Sequence, residues 1–320
     1  MTKLSIIIPM YNVAQYLDTC IASVYNQGLD ENDFQVIFID DESPDNSLQV
    51  AQKLTSEKGN ASIISQKNKG LGGARNTGID NASGDYILFL DSDDWYLPNV
   101  LKPIITLAEK NNLDILEFGA QGIDTTNNIV YTFANSTSGT INKGIDYYQK
   151  YRYMDSACNK LYNRSFLNEN KLRFEEKLYI EDYEFNTRVF LHAQKVMAVN
   201  TIVAHFLQTP DSITRNVNPE KKQKMIQDII KVMKKITFLK FENSHLEASY
   251  FDQKLSFLTT TLFYQLFKNK AKYSEYLDLK KQLQKENLFF VKNTIFDKQK
   301  NFFRILFLKN FFLIRLLAKL

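Results

Sequence analysis

The sequence predicts an α/β fold, a mostly parallel sheet flanked by helices and followed by an α-helical C-terminal extension. Three observations carry this expectation. Strand-like and helix-like patterns alternate through the first 118 residues, as repeated βαβ units require. Polar clusters rich in Asp, Asn and Gly follow the apolar strand segments. Beyond about residue 215 the chain turns Lys-rich and helical, with no further acidic cluster.

Taken in order, Leu4–Ile8 reads as the first strand and runs into Pro9. Residues 14–26 place Leu17, Cys20, Ile21 and Val24 at helical spacing. QVIFI (35–39) is a second strand, and Asp40–Ser47 then gathers turn and capping residues ahead of a helix to about Glu57. Ser62–Ser65 is a third strand, and Asn68–Gly78 reads as a Gly-rich loop entering a helix. YILFL (86–90) has the unbroken apolar character of a parallel strand covered on both faces. A helix from Pro98 to about Asn111 leads to a fifth strand at 114–118. From 119 to 214 the pattern is mixed; its Asn/Thr-rich stretch 124–143 reads as a hairpin or a mobile loop. The domain expectation is therefore a catalytic unit over 1–215, with an inner division at 118/119, and a basic helical region over 216–320. Pro210 and Pro219 mark the boundary.

Charge follows the same division. Residues 1–214 hold 18 Lys/Arg against 27 Asp/Glu, and residues 215–320 hold 22 against 9. An acidic front and a basic back suggest a catalytic unit joined to a segment that meets an anionic surface. Two cysteines without CxxC spacing, with three histidines, argue for a reducing compartment and against structural zinc. The first apolar stretch is too short for a secretory leader, and no run reaches the roughly 18 apolar residues of a membrane span. The expectation is a cytoplasmic protein, peripheral on the inner face of the cell membrane.

Ligands of open α/β sheets bind beyond the carboxyl ends of the strands, where the clusters fall. Asp91-Ser92-Asp93 puts two carboxylates on one side of the chain, a hard-oxygen pair suited to Mg²⁺ or Mn²⁺ with ligand phosphates completing the shell. The same run also reads as a capped turn, with Asp94 as its cap. Residues 68–78 lack GxGxxG, having Arg75 where the last Gly would stand. Backbone amides there suit phosphate or ribose, and Arg75 suits a phosphate or a structural aspartate. Glu181-Asp182 opens a helical pattern through Phe185, Val189 and Phe190, so it is either a dipole-stabilised cap or a source of a general base.

Together these residues carry a resemblance. Pro9-Met10-Tyr11-Asn12, residues 39–47, Asn68–Gly78, Leu90–Trp95 and Glu181-Asp182 resemble glycosyltransferase family 2 in order and spacing, over roughly residues 3–215. The resemblance implies the Rossmann-like GT-A fold and an inverting, metal-dependent transfer of one sugar. The 1–118 part would then bind the nucleotide sugar and 119–215 would form the acceptor side. Tyr11 and Asp41 would hold the base. Asp91 and Asp93 would hold ribose and metal-diphosphate, with Mn²⁺ or Mg²⁺ as cofactor. Pro9, Asn12, Lys69, Gly70, Arg75, Asn76 and Ser92 would complete donor binding, Glu181 would face the acceptor and Asp182 would be the base. His205 is a further candidate metal ligand. Glu42 departs from the pattern, standing where Gly is frequent, and the QxxRW signature of processive synthases is missing.

Residues 297–320 hold five Phe, with Lys300, Arg304, Lys309, Arg315 and Lys319 expected along one side of a helix and Phe303, Leu306, Leu313 and Leu317 along the other. Such a helix suits an anionic membrane surface; docking on the core or on a second copy in a homodimer is the competing reading. The expected partners are a nucleotide-diphosphate sugar, with UDP favoured, and a saccharide or polyprenyl-linked acceptor. Nucleic acid is disfavoured, because the cations are interleaved with aliphatic runs. Rival functions are a sugar-1-phosphate nucleotidyltransferase, which normally carries its Gly-rich loop after the first strand, and a non-catalytic nucleotide-sugar or membrane-binding relative.

Overall fold

A computed structural model describes residues 2–151, 154–209, 218–243, 246 and 248–317. Pro210 and Lys319 lie outside them. The chain separates into two compact units, 1–216 and 217–320.

The first unit holds nine strands among the described residues: β1 Leu4–Met10, β2 Phe34–Asp40, β3 Ala61–Ser65, β4 Tyr86–Phe89, β5 Trp95–Tyr96, β6 Ile115–Asp124, β7 Ile129–Phe133, β8 Lys160–Asn163 and β9 Val196–Gln208. Its helices are α1 Leu17–Tyr25, α2 Ser47–Leu54, α3 Gly70–Asp80, α4 Leu101–Asn111, α5 Gly144–Lys150, α6 Arg164–Glu169 and α7 Glu181–His192. The strands join in the order β3-β2-β1-β4-β8-β6-β9-β5, with β7 paired to β6. Strands β3, β2, β1 and β4 are mutually parallel, as the alternating pattern requires. All seven residues of β1 are buried, so helices cover both faces.

Beyond β4 the sheet is mixed. The strand expected at 114–118 forms as β6, but β8 inserts between it and β4 and runs antiparallel to both. Lys160–Asn163 is four residues long, too short for periodicity to single out in a mixed region. The 124–143 stretch forms the hairpin, with β7 returning on β6.

The Gly-rich segment is not a loop ahead of a helix. Helix α3 starts at Gly70, and its glycines permit close packing. A Cβ at Gly72 would stand 2.3 Å from the Glu175 carbonyl oxygen, and one at Gly78 would stand 2.2 Å from Ile7 of β1.

The second unit contains α8 Pro219–Glu242, α9 Ala248–Lys268, α10 Tyr273–Lys285, α11 Lys298–Phe303 and α12 Ile314–Leu317. Asn218 caps α8, accepting from the Glu220 and Lys221 amides, with Pro219 at the first helical position. Ile229, Val232, Met233 and Ile236 of α8 and Tyr250, Phe251, Leu255 and Leu262 of α9 are buried.

The single amphipathic tail helix is corrected by the structure. Residues 298–317 form α11, a π-helical stretch Arg304–Leu308, a 3-10 turn Phe311–Leu313 and α12. Arg304 is not on a basic surface; it is buried, donating to the Val291 and Lys292 carbonyls and to Asn301. Phe303, Leu308 and Ile314 are buried within this unit, while Phe302, Ile305, Phe312 and Leu316 are exposed. Among the described residues, no helix is long and apolar enough to cross a membrane.

Candidate active site

The strand order reverses around β1, which has β2 on one side and β4 on the other. The segments leaving the carboxyl ends of these three strands carry Tyr11 and Asn12, Asp41 and Glu42, and Asp91–Asp94. This is the crevice in which doubly wound sheets bind ligands.

Beside β1, Tyr11 is 53% exposed, and Asn12 takes a left-handed backbone with φ 58°. Pro9 lies within β1, opposite Ile39. Asp41 is buried and fully engaged: one oxygen accepts from Gln66 and from the Lys69 amide, the other from the Gly70 amide at 2.8 Å. Its carboxylate thus caps α3 from a different strand, and a negative charge at a helix N-terminus is the stable arrangement. Glu42 has φ 66°, which explains the preference for Gly there, and its carboxylate accepts from the Asn68 amide. Lys69 is exposed. Asn76 spends both side-chain polar atoms on the Phe174 backbone, at 2.8 and 2.7 Å, so it pins the 174–177 segment.

The centre of the site is Arg75, 1% exposed on α3. Its Nη2 donates to Asp91 Oδ1 at 2.8 Å; its Nη1 donates to Glu181 Oε1 at 2.8 Å and to Asp182 Oδ1 at 2.6 Å. The guanidinium lies 5.2 Å from the Phe174 ring centroid, and Cys158 Sγ stands 3.7 Å from Nη2. One cation therefore joins the end of β4 to the start of α7. Three carboxylates against one guanidinium leave a surplus of negative charge. Burial and Asp182 push Glu181 up to about 7, with Arg75 opposing. Burial also raises the Asp182 carboxyl, opposed by Arg75 and by the Ala157 amide, which donates to Asp182 Oδ2 at 2.8 Å.

In the acidic run, Ser92 and Asp94 are buried, and Asp91 and Asp93 are partly exposed. Asp94 ties the run to β9 by accepting from the Leu207 amide at 2.8 Å, and burial together with Asp93 and Asp91 pushes its carboxyl well above the usual range. Asp91 and Asp93 are hard oxygen donors in a region of excess negative charge, which fits Mg²⁺ or Mn²⁺ when ligand phosphates supply the remaining positions. Among the described residues no group of three or more His, Cys, Asp or Glu forms a metal cage. His205 is not drawn into such a cluster: it sits in β9 opposite Trp95, its ring edge-on to the indole and its Nε2 3.1 Å from Gln121 Oε1.

The sequence suits both cysteines to core positions, but the place of Cys158 against Arg75 and the role of the Ala157 amide were missed, because residues 154–159 carry no periodicity. Burial pushes both thiols up, which suits core residues rather than nucleophiles.

Comparison with known proteins places this site in context. A family model described as "Glycosyl transferase family 2" matches residues 5–170, just over half of the chain. The uncharacterized glycosyltransferase EpsJ of Bacillus subtilis is 32% identical over 216 residues, covering 66% of this chain and 62% of EpsJ. A poly(ribitol-phosphate) beta-glucosyltransferase of Bacillus spizizenii is 29% identical, covering 72% of this chain and 37% of that one. The chain thus spans less than two thirds of the length of these relatives. Among solved structures, S. aureus TarS 1-349 in complex with UDP-GlcNAc has a TM-score of 0.66 at 22% identity, covering 80% of this chain and 71% of that one. The fold is therefore of the GT-A type.

Proposed function

The chain belongs to glycosyltransferase family 2, and on that premise we propose that it transfers one sugar, with inversion, from a UDP-sugar to an acceptor hydroxyl. The observation that carries this reading is the Arg75 clamp, which holds Asp91 of the acidic run and Asp182 of α7 on one guanidinium.

Donor binding falls to the crevice beyond β1, β2 and β4. The exposed Tyr11 offers a face for stacking the base; the Lys69 and Gly70 amides are spent on Asp41, which leaves the exposed Lys69 side chain for the donor. Asp91 and Asp93 would hold Mn²⁺ or Mg²⁺ against the donor phosphates, where the ion would supply neutralisation of the departing diphosphate. Asp182 takes the proton of the acceptor hydroxyl as the hydroxyl oxygen bonds to the anomeric carbon, while the bond from that carbon to the diphosphate oxygen breaks. The raised Asp182 carboxyl is a stronger base than an ordinary surface aspartate, and each of its oxygens has a lone pair left. Glu181, which shares Arg75 with Asp182, would lie on the acceptor side.

The acceptor we propose is a lipid-linked saccharide in bacterial surface polysaccharide synthesis. Relatives named as poly(ribitol-phosphate) glycosyltransferases support a surface-polymer role. The net positive charge of residues 215–320 and the exposed Phe302, Ile305, Phe312 and Leu316 support contact with an anionic membrane. A panel of UDP-glucose, UDP-galactose and UDP-N-acetylglucosamine with Mn²⁺ or Mg²⁺, scored for released UDP and for thermal stabilisation, tests the donor assignment. Stabilisation by none of them would overturn it.

A further inference from the structure

Behind Asp182 lies a polar cluster that the proposed chemistry does not use. Glu117 of β6 and Lys160 of β8 are opposite each other in the sheet register, both 0% exposed, with Lys160 Nζ 3.3 Å from Glu117 Oε1. A charged pair in the middle of a buried sheet is a costly way to gain stability, since an apolar pair of similar volume does as well. Its hydrogen bonds show where the ammonium is spent. Lys160 Nζ donates to the Met154 carbonyl at 2.6 Å, the Ser156 carbonyl at 2.7 Å and Asn159 Oδ1 at 2.7 Å, all closer than Glu117. Glu117 accepts from the Tyr147 hydroxyl and, at 3.4 Å, from the Met154 amide and from Asn159 Nδ2.

Residues 154–159 have no regular secondary structure, so their buried backbone groups need side-chain partners. Lys160 supplies two of them, and Asn186 of α7 supplies a third by donating to the Asp155 carbonyl at 2.9 Å. This segment presents the Ala157 amide to Asp182 Oδ2 and Cys158 Sγ to Arg75. We propose that Glu117 and Lys160 are positioning residues for the transfer reaction: the buried ammonium shapes the 154–159 backbone, and that backbone fixes the orientation of the Asp182 carboxylate. Both side chains are fully buried and act through that backbone. This rests on the reading of Asp182 as the base.

The test compares Lys160→Met, and the charge-balanced Glu117→Gln/Lys160→Met where the single variant folds poorly, with Asp182→Asn. Three readouts are taken: amide hydrogen exchange over 154–159, Kd for UDP by calorimetry, and kcat for UDP release from the donor the panel identifies. Positioning predicts faster exchange in 154–159, an unchanged UDP Kd and a kcat lower by about 10²-fold, the scale of a misplaced reacting group. Unchanged exchange overturns it, as does kcat within twofold of the parent, or weakened UDP binding in step with kcat, which would mark general loosening. Full kcat in Asp182→Asn would instead remove the base assignment, a result separate from the exchange measurement.

Discussion

Arg75 Nη1 stands 2.6 Å from Asp182 Oδ1, while the other terminal nitrogen of the same guanidinium holds Asp91 at 2.8 Å. The two aspartates come from segments about ninety residues apart, the end of β4 and the start of α7. Placing one buried cation between them couples the proposed donor side to the candidate base. It also offsets part of the repulsion among Asp91, Glu181 and Asp182, which still raises the Glu181 carboxyl.

Arg75→Met leaves those carboxylates without their counter-charge. The expected loss is about 3–5 kcal/mol of stability, the usual cost of breaking a buried ion pair from one side. Arg75→Lys keeps the charge without the fork and should fall between Met and the parent. Thermal unfolding decides: a melting temperature in the Met variant equal to the parent's contradicts the clamp.

Glu181 contributes one part of the pH dependence, beside the likewise raised Asp94 and Asp182 carboxyls. Its folded carboxyl sits at about 7 against an ordinary 4.5, so the folded chain binds more protons between those values. Stability from this group is complete below about pH 4.5, falls as pH rises through about 7, and is flat above. Glu181→Gln should flatten the fall across that window, read as melting temperature against pH. An unaltered slope would assign the dependence to other groups.

The α3 glycines are expected to respond to packing. Gly72→Ala drives a methyl group into the Glu175 carbonyl and should cost about 1–3 kcal/mol, whereas Gly59, with nothing within 4 Å of its added Cβ, should accept Ala within about 0.5 kcal/mol. Chemical denaturation of the two variants measures the difference. Equal midpoints would contradict the packing account.

For the C-terminal unit, deleting the tail would also remove the buried Phe303, Leu308 and Ile314. A cleaner variant replaces Phe302, Phe312 and Leu316, each at least 60% exposed, with Ser. Co-sedimentation with phosphatidylglycerol vesicles should drop severalfold at unchanged melting temperature. Equal sedimentation would show that these side chains do not meet the membrane.

The N-terminal half of the sheet was legible because each of its strands is an apolar run followed by turn chemistry: Leu4–Met10, Phe34–Asp40 and Tyr86–Phe89 all fall where patterning puts them. The carboxyl edge and the family motifs pointed to Asp91, Arg75, Glu181 and Asp182 one by one, but not to their meeting on a single guanidinium. Strand β8 was not legible, since four residues cannot establish a period and its antiparallel insertion is a tertiary choice. Helix α3 hid behind its glycines, whose low helix propensity is overridden by the Asp41 cap and close packing. The tail misled because helical periodicity was projected through Arg304, whose guanidinium turns inward to the Val291 and Lys292 carbonyls instead. Glu117 was a visible signal left unread, a charge in the middle of an otherwise apolar strand.

The central claim is that Asp182 is the base of a sugar transfer from a UDP-sugar. Its most direct test is kcat and UDP binding of Asp182→Asn with the donor and metal selected from the panel. The account predicts a kcat lower by about 10²–10⁴-fold, the range of general base catalysis, with UDP affinity unchanged. A variant that turns over at the parent rate would contradict it.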